Sequence, residues 1–149
     1  MNDSGLSHQS LRQQHDTLTV ATGGRGCHPI GDRVQAAVAA SGMRCGVAHL
    51  LVQHTSCSLM IQENADPSVL RDMEAFLARI APDGDPAYRH ASEGDDDMAA
   101  HIRMALTQAA LSIPFVDGRL RLGIWQGIFL YEHRYAPHQR RVALHLIGA

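Results

Sequence analysis

Apolar and polar residues alternate with a period of two along several short segments, which predicts β-strands. Such alternation indicates a first strand at 17–22 and a closing strand at 140–147. The run 47–52 is almost continuously apolar and rich in β-branched residues, so we expect a strand that is buried rather than half-exposed. His54 follows this strand closely, and 59–61 predicts the next short strand.

Three other segments show the 3.6-residue spacing of apolar side chains that is typical of an amphipathic helix. The first is predicted to begin with Asp32 as its N-cap and to end at Gly42. The second begins at Asp66 and Pro67, which are favoured at the N-cap and at the first helical position. The third follows the acidic run 95–97. Without βαβ alternation, this pattern predicts an α+β fold with mostly antiparallel or mixed sheet layers and about three helices.

The last third of the chain contains turn signals between apolar segments. Asp117 and Gly118 form the dipeptide that is typical of a tight β-hairpin. Pro114 lies in the strand before this turn and predicts either that the strand is at an edge of its sheet or that the backbone nitrogen at this position faces away from a partner strand. Trp125 lies in a bend before the strand 128–131, and we expect its side chain to be part of the core.

Composition and charge restrict the class of protein. The chain has 149 residues, of which 45% are hydrophobic, and we expect a flexible tail at 1–14 and a single domain at 15–149. The net charge of −2 argues against nucleic acid as a partner. No segment resembles a membrane span or a signal peptide, so we expect a soluble, cytoplasmic protein without a membrane partner. Cys27, Cys45 and Cys57 form no paired motif, which argues against a disulfide framework and a thiolate zinc site.

The first dense group of polar side chains lies at 54–67, between a predicted strand and a predicted helix. The hydroxyl groups of Thr55 and Ser56 are candidate donors to a phosphate group. Glu63 is our candidate for a general base or for a group that orients a ligand, because we expect Asp66 to be used for helix capping.

A second polar group covers 88–103. Asp97 and His101 are i,i+4 partners on a predicted helix, so the carboxylate can fix the tautomer of the imidazole or share a metal with it. His90 lies in the preceding loop and can reach the same point. Of the three acids at 95–97, we expect two to serve only the helix N-terminus and Asp97 either to bind a metal or to orient one of its ligands.

These segments, with 120–134, resemble the YjbQ-like family, also called the secondary thiamine-phosphate synthase family. The motifs that carry the resemblance are His-Thr-Ser at 54–56, Glu-Asn at 63–64, Asp-Pro at 66–67, Tyr-x-His at 88–90, Glu-Gly with acids and a histidine-bearing helix at 93–101, and Trp-Gln-Gly at 125–127. The resemblance extends from about residue 17 to the end of the chain.

The resemblance implies a compact α+β subunit, a homotrimer and a histidine-rich site for a divalent metal, which we expect to be zinc. It also implies a weak thiamine-phosphate synthase activity that joins an aminopyrimidine pyrophosphate to a thiazole phosphate. The candidate metal ligands, which would leave an open coordination position, are His54, His90 and His101. The candidate catalytic residues are Glu63, Asp97 and Gln126. The candidate substrate-binding residues are Thr55, Ser56, Asn64, Trp125 and Arg134.

The same residues allow two other functions. In a non-catalytic trimeric binding protein, the histidines would bind a metal or a phosphorylated small molecule, with Arg134 or Arg141 as the basic residue. With water as the nucleophile, the site would instead hydrolyse a phosphate ester. Glu132 and His133 are consistent with an exposed ion-pair cluster that includes Arg134, and their roles stay open, as does the role of Cys57.

Overall fold

The computed structural model of this chain describes residues 10–149, which form an α+β fold as predicted. The strands are β1 (Arg12–Thr22), β2 (Gly26–Pro29), β3 (Cys45–Val52), β4 (Cys57–Glu63), β5 (Ala110–Val116), β6 (Arg119–Leu120), β7 (Gln126–Glu132) and β8 (His138–Gly148). The helices are α1 (Gly31–Ser41), α2 (Pro67–Ile80) and α3 (Asp95–Leu106). None of these described helices has the length and apolar character needed to cross a lipid bilayer.

Two antiparallel sheets enclose the main core. The larger sheet has the strand order β1-β8-β3-β5-β6, and the smaller sheet has the order β2-β7-β4. Side chains from both sheets and from α1 form one buried cluster, which includes Leu50, Leu144 and Leu130. A smaller cluster around Met60 and Leu77 joins the three-stranded sheet to α2. Each fully buried leucine contributes about 1.5–3 kcal/mol to folding through the hydrophobic effect.

The first strand is longer than predicted. It begins at Arg12 because residues 12–16 pair with 144–148 of β8, opposite the end of the chain. The last three residues of the predicted tail 1–14 therefore belong to the sheet. The rest of that prediction mostly falls on residues 1–9, which lie outside the described residues.

Helix boundaries agree with the sequence where a side chain or a backbone angle decides them. Asp66 caps α2, as predicted, and its carboxylate accepts a hydrogen bond from Ser68 N–H at 2.8 Å. Gly42 ends α1 in the left-handed conformation, with φ of 66°. The predicted cap of α1 is wrong, because Ile30 is the N-cap and Asp32 lies inside the first turn. There its charge still favours the positive end of the helix dipole.

Strand β3 is covered on one face only, so the prediction of a buried strand is wrong for the other face. Ala48 and Leu50 point into the core, whereas His49 and Leu51 are exposed. Helix α2 packs against the three-stranded sheet and does not cover this face of β3. The outer face of the five-stranded sheet therefore presents side chains to solvent.

The hairpin is as predicted, whereas β5 is not the edge strand of its sheet, because β6 lies beyond it. Asp117 and Gly118 have φ angles of 51° and 69°, which are the left-handed angles that a tight hairpin turn requires. Strand β5 pairs with β3 on one side and with only the two-residue β6 on the other. Pro114 therefore lies near the edge, where its carbonyl accepts a hydrogen bond from Arg121 N–H at 2.8 Å.

Candidate functional site

Asp97 lies in the first turn of α3 and has only 1% of its surface exposed. Its Oδ2 is 2.7 Å from His90 Nε2 and 3.5 Å from His101 Nε2. One ligand atom from each residue lies within 4.8 Å of the others. We call these three residues the Asp97 cluster. It contains two of the three histidines that were predicted as metal ligands, and Asp97 takes the place of His54.

The imidazole of His101 is held in one tautomer. Its Nδ1 is 2.8 Å from the backbone carbonyl of Thr55, and because a carbonyl only accepts hydrogen bonds, Nδ1 carries the proton. The Nε2 of the neutral ring then directs a lone pair toward Asp97 Oδ2, which is also an acceptor. A proton or a metal ion between the two atoms would relieve this repulsion. Histidines that bind metals commonly have such a carbonyl on the other ring nitrogen.

His54 is oriented as a hydrogen-bond donor rather than as the predicted metal ligand. Ser56 N–H donates to His54 Nδ1 at 3.2 Å, so the Nε2 of the neutral ring carries the hydrogen. Burial lowers the pKa of His54, and the charge of Arg140 lowers it further, which favours this neutral ring. His101 and His138 are near enough to contribute to the same lowering. His138 was not among the site residues predicted from the sequence.

Arg134 binds acidic residues of this chain and is therefore not the free phosphate ligand that the sequence suggested. Its Nη1 donates to Asp97 Oδ1, its Nε to Asp96 Oδ2 at 3.1 Å, and its Nη2 to the Glu93 carbonyl at 2.8 Å. Asp95 is the exposed member of the acidic run. Two acids were expected to serve only the helix N-terminus. Asp95 alone does so, because Asp96 also accepts a hydrogen bond from Arg134.

A buried ion pair lies next to the segment that carries His54. Glu132, expected to be exposed, is fully buried, and it accepts from Arg140 Nε at 2.7 Å and from Arg140 Nη2 at 2.6 Å. Arg140 Nη2 also donates to Ser56 Oγ at 3.0 Å. Ser56 Oγ is in turn 3.0 Å from His54 Nδ1. A continuous chain of hydrogen bonds therefore connects the ion pair to His54.

The alternation in β8 contains the signal that would have revealed this ion pair. Val142 and Leu144 face the core, so Arg140, which is two residues earlier, has to face it as well. A buried arginine needs a buried acidic partner. Burial alone would raise the pKa of Glu132, but Arg140 and backbone N–H donors outweigh that effect and lower the pKa.

Other predicted site residues lie at the opposite end of the three-stranded sheet. Ser56 directly precedes β4, and Glu63 is the last of its seven residues. At a rise of about 3.3 Å per residue, these positions are about 20 Å apart. Glu63 Oε1 accepts from Asp66 N–H at 3.3 Å and so helps to organise the start of α2. Within one protomer, Glu63 is too remote to act as a base at the Asp97 cluster.

Asn64, which follows β4, lies beside the turn that contains Trp125 and Gln126 at this opposite end. Asn64 N–H donates to the Trp125 carbonyl at 2.9 Å, and Gln126 Oε1 accepts from Gly123 N–H at 2.7 Å. The side chain of Trp125 is 61% exposed, so the prediction that it lies in the core is wrong. Asn64 and Gln126 also line a groove of about 500 Å³ that extends to Gly31 at the start of α1.

Cys57 and His133 are both buried and uncharged. Burial raises the pKa of Cys57 to about 12, which keeps the thiol protonated and makes it a poor nucleophile. His133 Nε2 lies 2.9 Å from Ser58 Oγ. Burial lowers the pKa of His133 to about 3, and the nearby charge of Arg103 contributes to the lowering. His133 is therefore a structural residue rather than a site residue.

We expect His133 to make the free energy of unfolding depend on pH. The unfolded ring takes up a proton below about 6.5, whereas the folded ring stays neutral down to about 3. The contribution of the neutral His133 ring to the free energy of unfolding is therefore complete above pH 6.5. It falls by about 1.4 kcal/mol per pH unit as the pH drops toward 3. Urea unfolding at pH 7 and at pH 5 measures the drop in the free energy of unfolding between these two values. This drop should be about 2 kcal/mol smaller in His133→Gln than in the natural chain. The exposed His49→Gln is the control, and equal losses in both variants would contradict the assignment.

Comparisons with known proteins agree with this fold. Residues 16–149 match the family model described as UPF0047 protein YjbQ-like. A UPF0047 protein of Synechocystis sp. is 50% identical over 142 residues, which cover 95% of this chain and 97% of that relative. The UPF0047 protein YjbQ of Escherichia coli O157:H7 is 42% identical over 133 residues, or 89% of this chain and 96% of the relative.

The likeness extends to solved structures. A conserved hypothetical protein from Thermus thermophilus aligns with a TM-score of 0.79 and 39% identity, over 88% of this chain and 98% of its own. A YjbQ-like protein of unknown function from Sulfolobus solfataricus has the same fold, with a TM-score of 0.85 at 23% identity over 94% of this chain and all of its own. The family match and the identities together show that this chain belongs to the YjbQ-like, UPF0047 family.

Proposed function

We propose that the Asp97 cluster binds a divalent metal and that the chain is a metal-dependent enzyme for a phosphorylated small molecule. The observation that carries this proposal is the meeting of two imidazole nitrogens and a buried carboxylate oxygen within 4.8 Å. Two nitrogen ligands and one oxygen ligand leave a coordination position open, as in catalytic zinc sites. We expect zinc, although ferrous iron accepts the same donor set, and elemental analysis distinguishes the two metals.

The hydrogen bonds around the cluster support this proposal. Arg134 occupies Oδ1 of Asp97 and leaves Oδ2 for the metal. Thr55 occupies Nδ1 of His101 and leaves Nε2. His90 presents its Nε2 to the same carboxylate oxygen. When bound, a metal would stabilise negative charge on phosphate oxygens as a Lewis acid.

For the reaction, we propose the transfer that the family resemblance implies, as a weak activity. The thiazole nitrogen forms a bond to the methylene carbon of the aminopyrimidine, and the bond from that carbon to the pyrophosphate oxygen breaks. Pyrophosphate leaves with the electron pair of the broken bond. The protein has to stabilise this leaving group and to align the two rings, and it needs little proton transfer.

The residues around the Asp97 cluster are suited to that task. The Nε2–H of neutral His54 is a donor to phosphate oxygens. Arg141 is exposed, and its carbonyl accepts from Gln53 N–H at 2.9 Å, so it lies beside the segment that carries His54. It replaces Arg134 as the basic residue of the proposal. A water molecule in place of the thiazole would turn the same site into a phosphate-ester hydrolase.

We also propose the homotrimer that the resemblance implies. Within one protomer, Glu63 and its strand partner Gln126 lie at one end of β4, about 20 Å from the other end, where His101 of the Asp97 cluster contacts Thr55. Only a second copy of the chain would bring these two groups of motif residues together. Ile124 and Trp125, which adjoin Gln126, are 83% and 61% exposed and are available for such a contact.

The test of the proposed function is turnover by protein that has been stripped of metal and reloaded with zinc. With both substrates, we expect thiamine phosphate and pyrophosphate from the reloaded protein and a rate at least about tenfold lower before reloading. His101→Ala should lose the metal and the turnover, because it removes one of three ligands. Ser92→Ala, which changes an exposed loop residue near His90, should keep both. Light scattering reports whether each variant retains the assembly of the natural chain.

Three outcomes would count against parts of this proposal. Zinc bound without any product would favour the non-catalytic binding protein. Release of phosphate from an ester, with no dependence on the thiazole, would favour the hydrolase. Failure to retain zinc after reloading would contradict the metal site and leave the histidines as phosphate donors.

A further inference from the structure

A second group of histidines lies on the outer face of the five-stranded sheet. His15 of β1 is directly opposite His145 of β8, and His145 is directly opposite His49 of β3. Ser112 of β5 is opposite His49 and extends the row across a fourth strand. We call His15, His145, His49 and Ser112 the histidine row. Its members are far apart in the sequence, and only the strand register brings them together.

The closest contact in the row has a separation that suits a shared metal ion. His15 Nδ1 and His145 Nδ1 are 3.0 Å apart. A metal with nitrogen ligands at about 2.1 Å holds two of them about 3.0 Å apart at a right angle and about 3.4 Å apart at a tetrahedral angle. In the absence of a metal, one proton has to lie between the two nitrogens, because two lone pairs would repel each other.

His49 is the third histidine of the row and lies on the strand next to His145. Its Nδ1 is 2.6 Å from Ser112 Oγ, and its Nε2 has no hydrogen-bond partner among the described residues. A hydrogen bond to one ring nitrogen commonly orients a metal-binding histidine and leaves the other nitrogen for the metal. His49 flanks His145 on the side opposite His15, and its ring has to rotate before Nε2 can reach a metal bound by the pair.

The surroundings of the row allow a cation to enter. All three histidines line an open cavity of about 480 Å³. The lining contains no arginine or lysine. Most of the other side chains there are apolar or small, among them Leu51 and Ala143. The imidazoles are therefore the main metal-binding groups of this cavity.

We propose that the histidine row binds a divalent transition metal, with His15 and His145 as a two-nitrogen clamp and His49 as the third ligand. Imidazole ligands favour nickel, copper and zinc over magnesium and calcium. The proposal is independent of the function proposed for the Asp97 cluster, because it rests on other residues at another place in the fold.

The test uses Ni²⁺ and the full chain after treatment with a chelator. The substitutions His90→Ala and His101→Ala first remove the Asp97 cluster as a binding site. In that background, calorimetry and elemental analysis should find one Ni²⁺ per chain. Adding His15→Gln and His145→Gln should abolish this binding, and adding only His49→Gln should weaken it at least about tenfold.

Thr19→Ala, an exposed position on the same face of β1, is the matched control and should bind Ni²⁺ as strongly as the background. A second measurement does not require the row variants to fold. In nuclear magnetic resonance spectra of the background protein, Ni²⁺ should broaden the ring signals of His15, His49 and His145 before those of His28. Binding that survives His15→Gln and His145→Gln, no binding in the background, or uniform broadening would overturn the proposal.

Discussion

The substitution Arg140→Met should lower the free energy of unfolding by about 3–5 kcal/mol, the largest loss that we expect from a single change in this chain. Glu132 is fully buried, and Arg140 is 2% exposed. Methionine fills part of the same volume but leaves the buried carboxylate without its cation. The N–H groups of His133 and Arg134 still donate to Glu132, at 3.1 Å each, which favours the lower end of this range.

Guanidinium chloride unfolding at pH 7 measures this loss, and two other variants interpret it. Arg141→Met changes the neighbouring exposed arginine and should alter stability by no more than about 0.5 kcal/mol. Glu132→Gln combined with Arg140→Met removes both charges and should restore a large part of the loss, because no unpaired charge is then buried. Equal stabilities of Arg140→Met and Arg141→Met would contradict the ion pair.

The same ion pair connects stability to the candidate site. Arg140 donates to Ser56, and Ser56 contacts His54. One end of this series of hydrogen bonds therefore lies in the core and the other lies at the site. The charge of Arg140 also contributes to the low pKa of His54. Loss of Arg140 should therefore loosen the segment that carries His54 as well as destabilise the fold.

The sequence predicted those elements that local chemistry determines. Asp66 begins a helix because its carboxylate satisfies a free N–H group, and Asp117 with Gly118 forms a hairpin turn because both adopt positive φ angles. The exposure of β3 was not predictable in this way. It depends on which sheet α2 packs against, and His49 and Leu51 carry no local signal of that choice.

The same distinction applies to the site. The i,i+4 spacing of Asp97 and His101 puts both on one helix face, and the short loop before α3 limits how far His90 can move, so their meeting was predictable. The wide separation of His54 and Glu63 in the fold was not predicted, because the two motifs are close neighbours in the sequence. A strand between two motifs separates them by its whole length.

Asp97→Asn should weaken the binding of Zn²⁺ by at least about 100-fold, which is the largest effect that we expect on the site. Asparagine keeps the size of the side chain but removes the negative charge that faces both imidazoles. It also leaves Arg134 with a weaker partner, so the free energy of unfolding should fall by about 1.5–3 kcal/mol. Competition with a coloured zinc chelator measures the affinity, and circular dichroism confirms that the variant is folded at the temperature used.

Asp95→Asn is the matched control, because Asp95 lies in the same first turn of α3 but is exposed. It removes the same charge from the same helix N-terminus, so any effect of net charge or of the helix dipole on zinc appears in both variants. The difference between the two affinities then measures what the buried position of Asp97 contributes. Similar affinities would show that zinc binds elsewhere, and the proposed enzyme would lose its metal centre. A difference near 100-fold would identify Asp97 as the anionic ligand around which His90 and His101 are arranged.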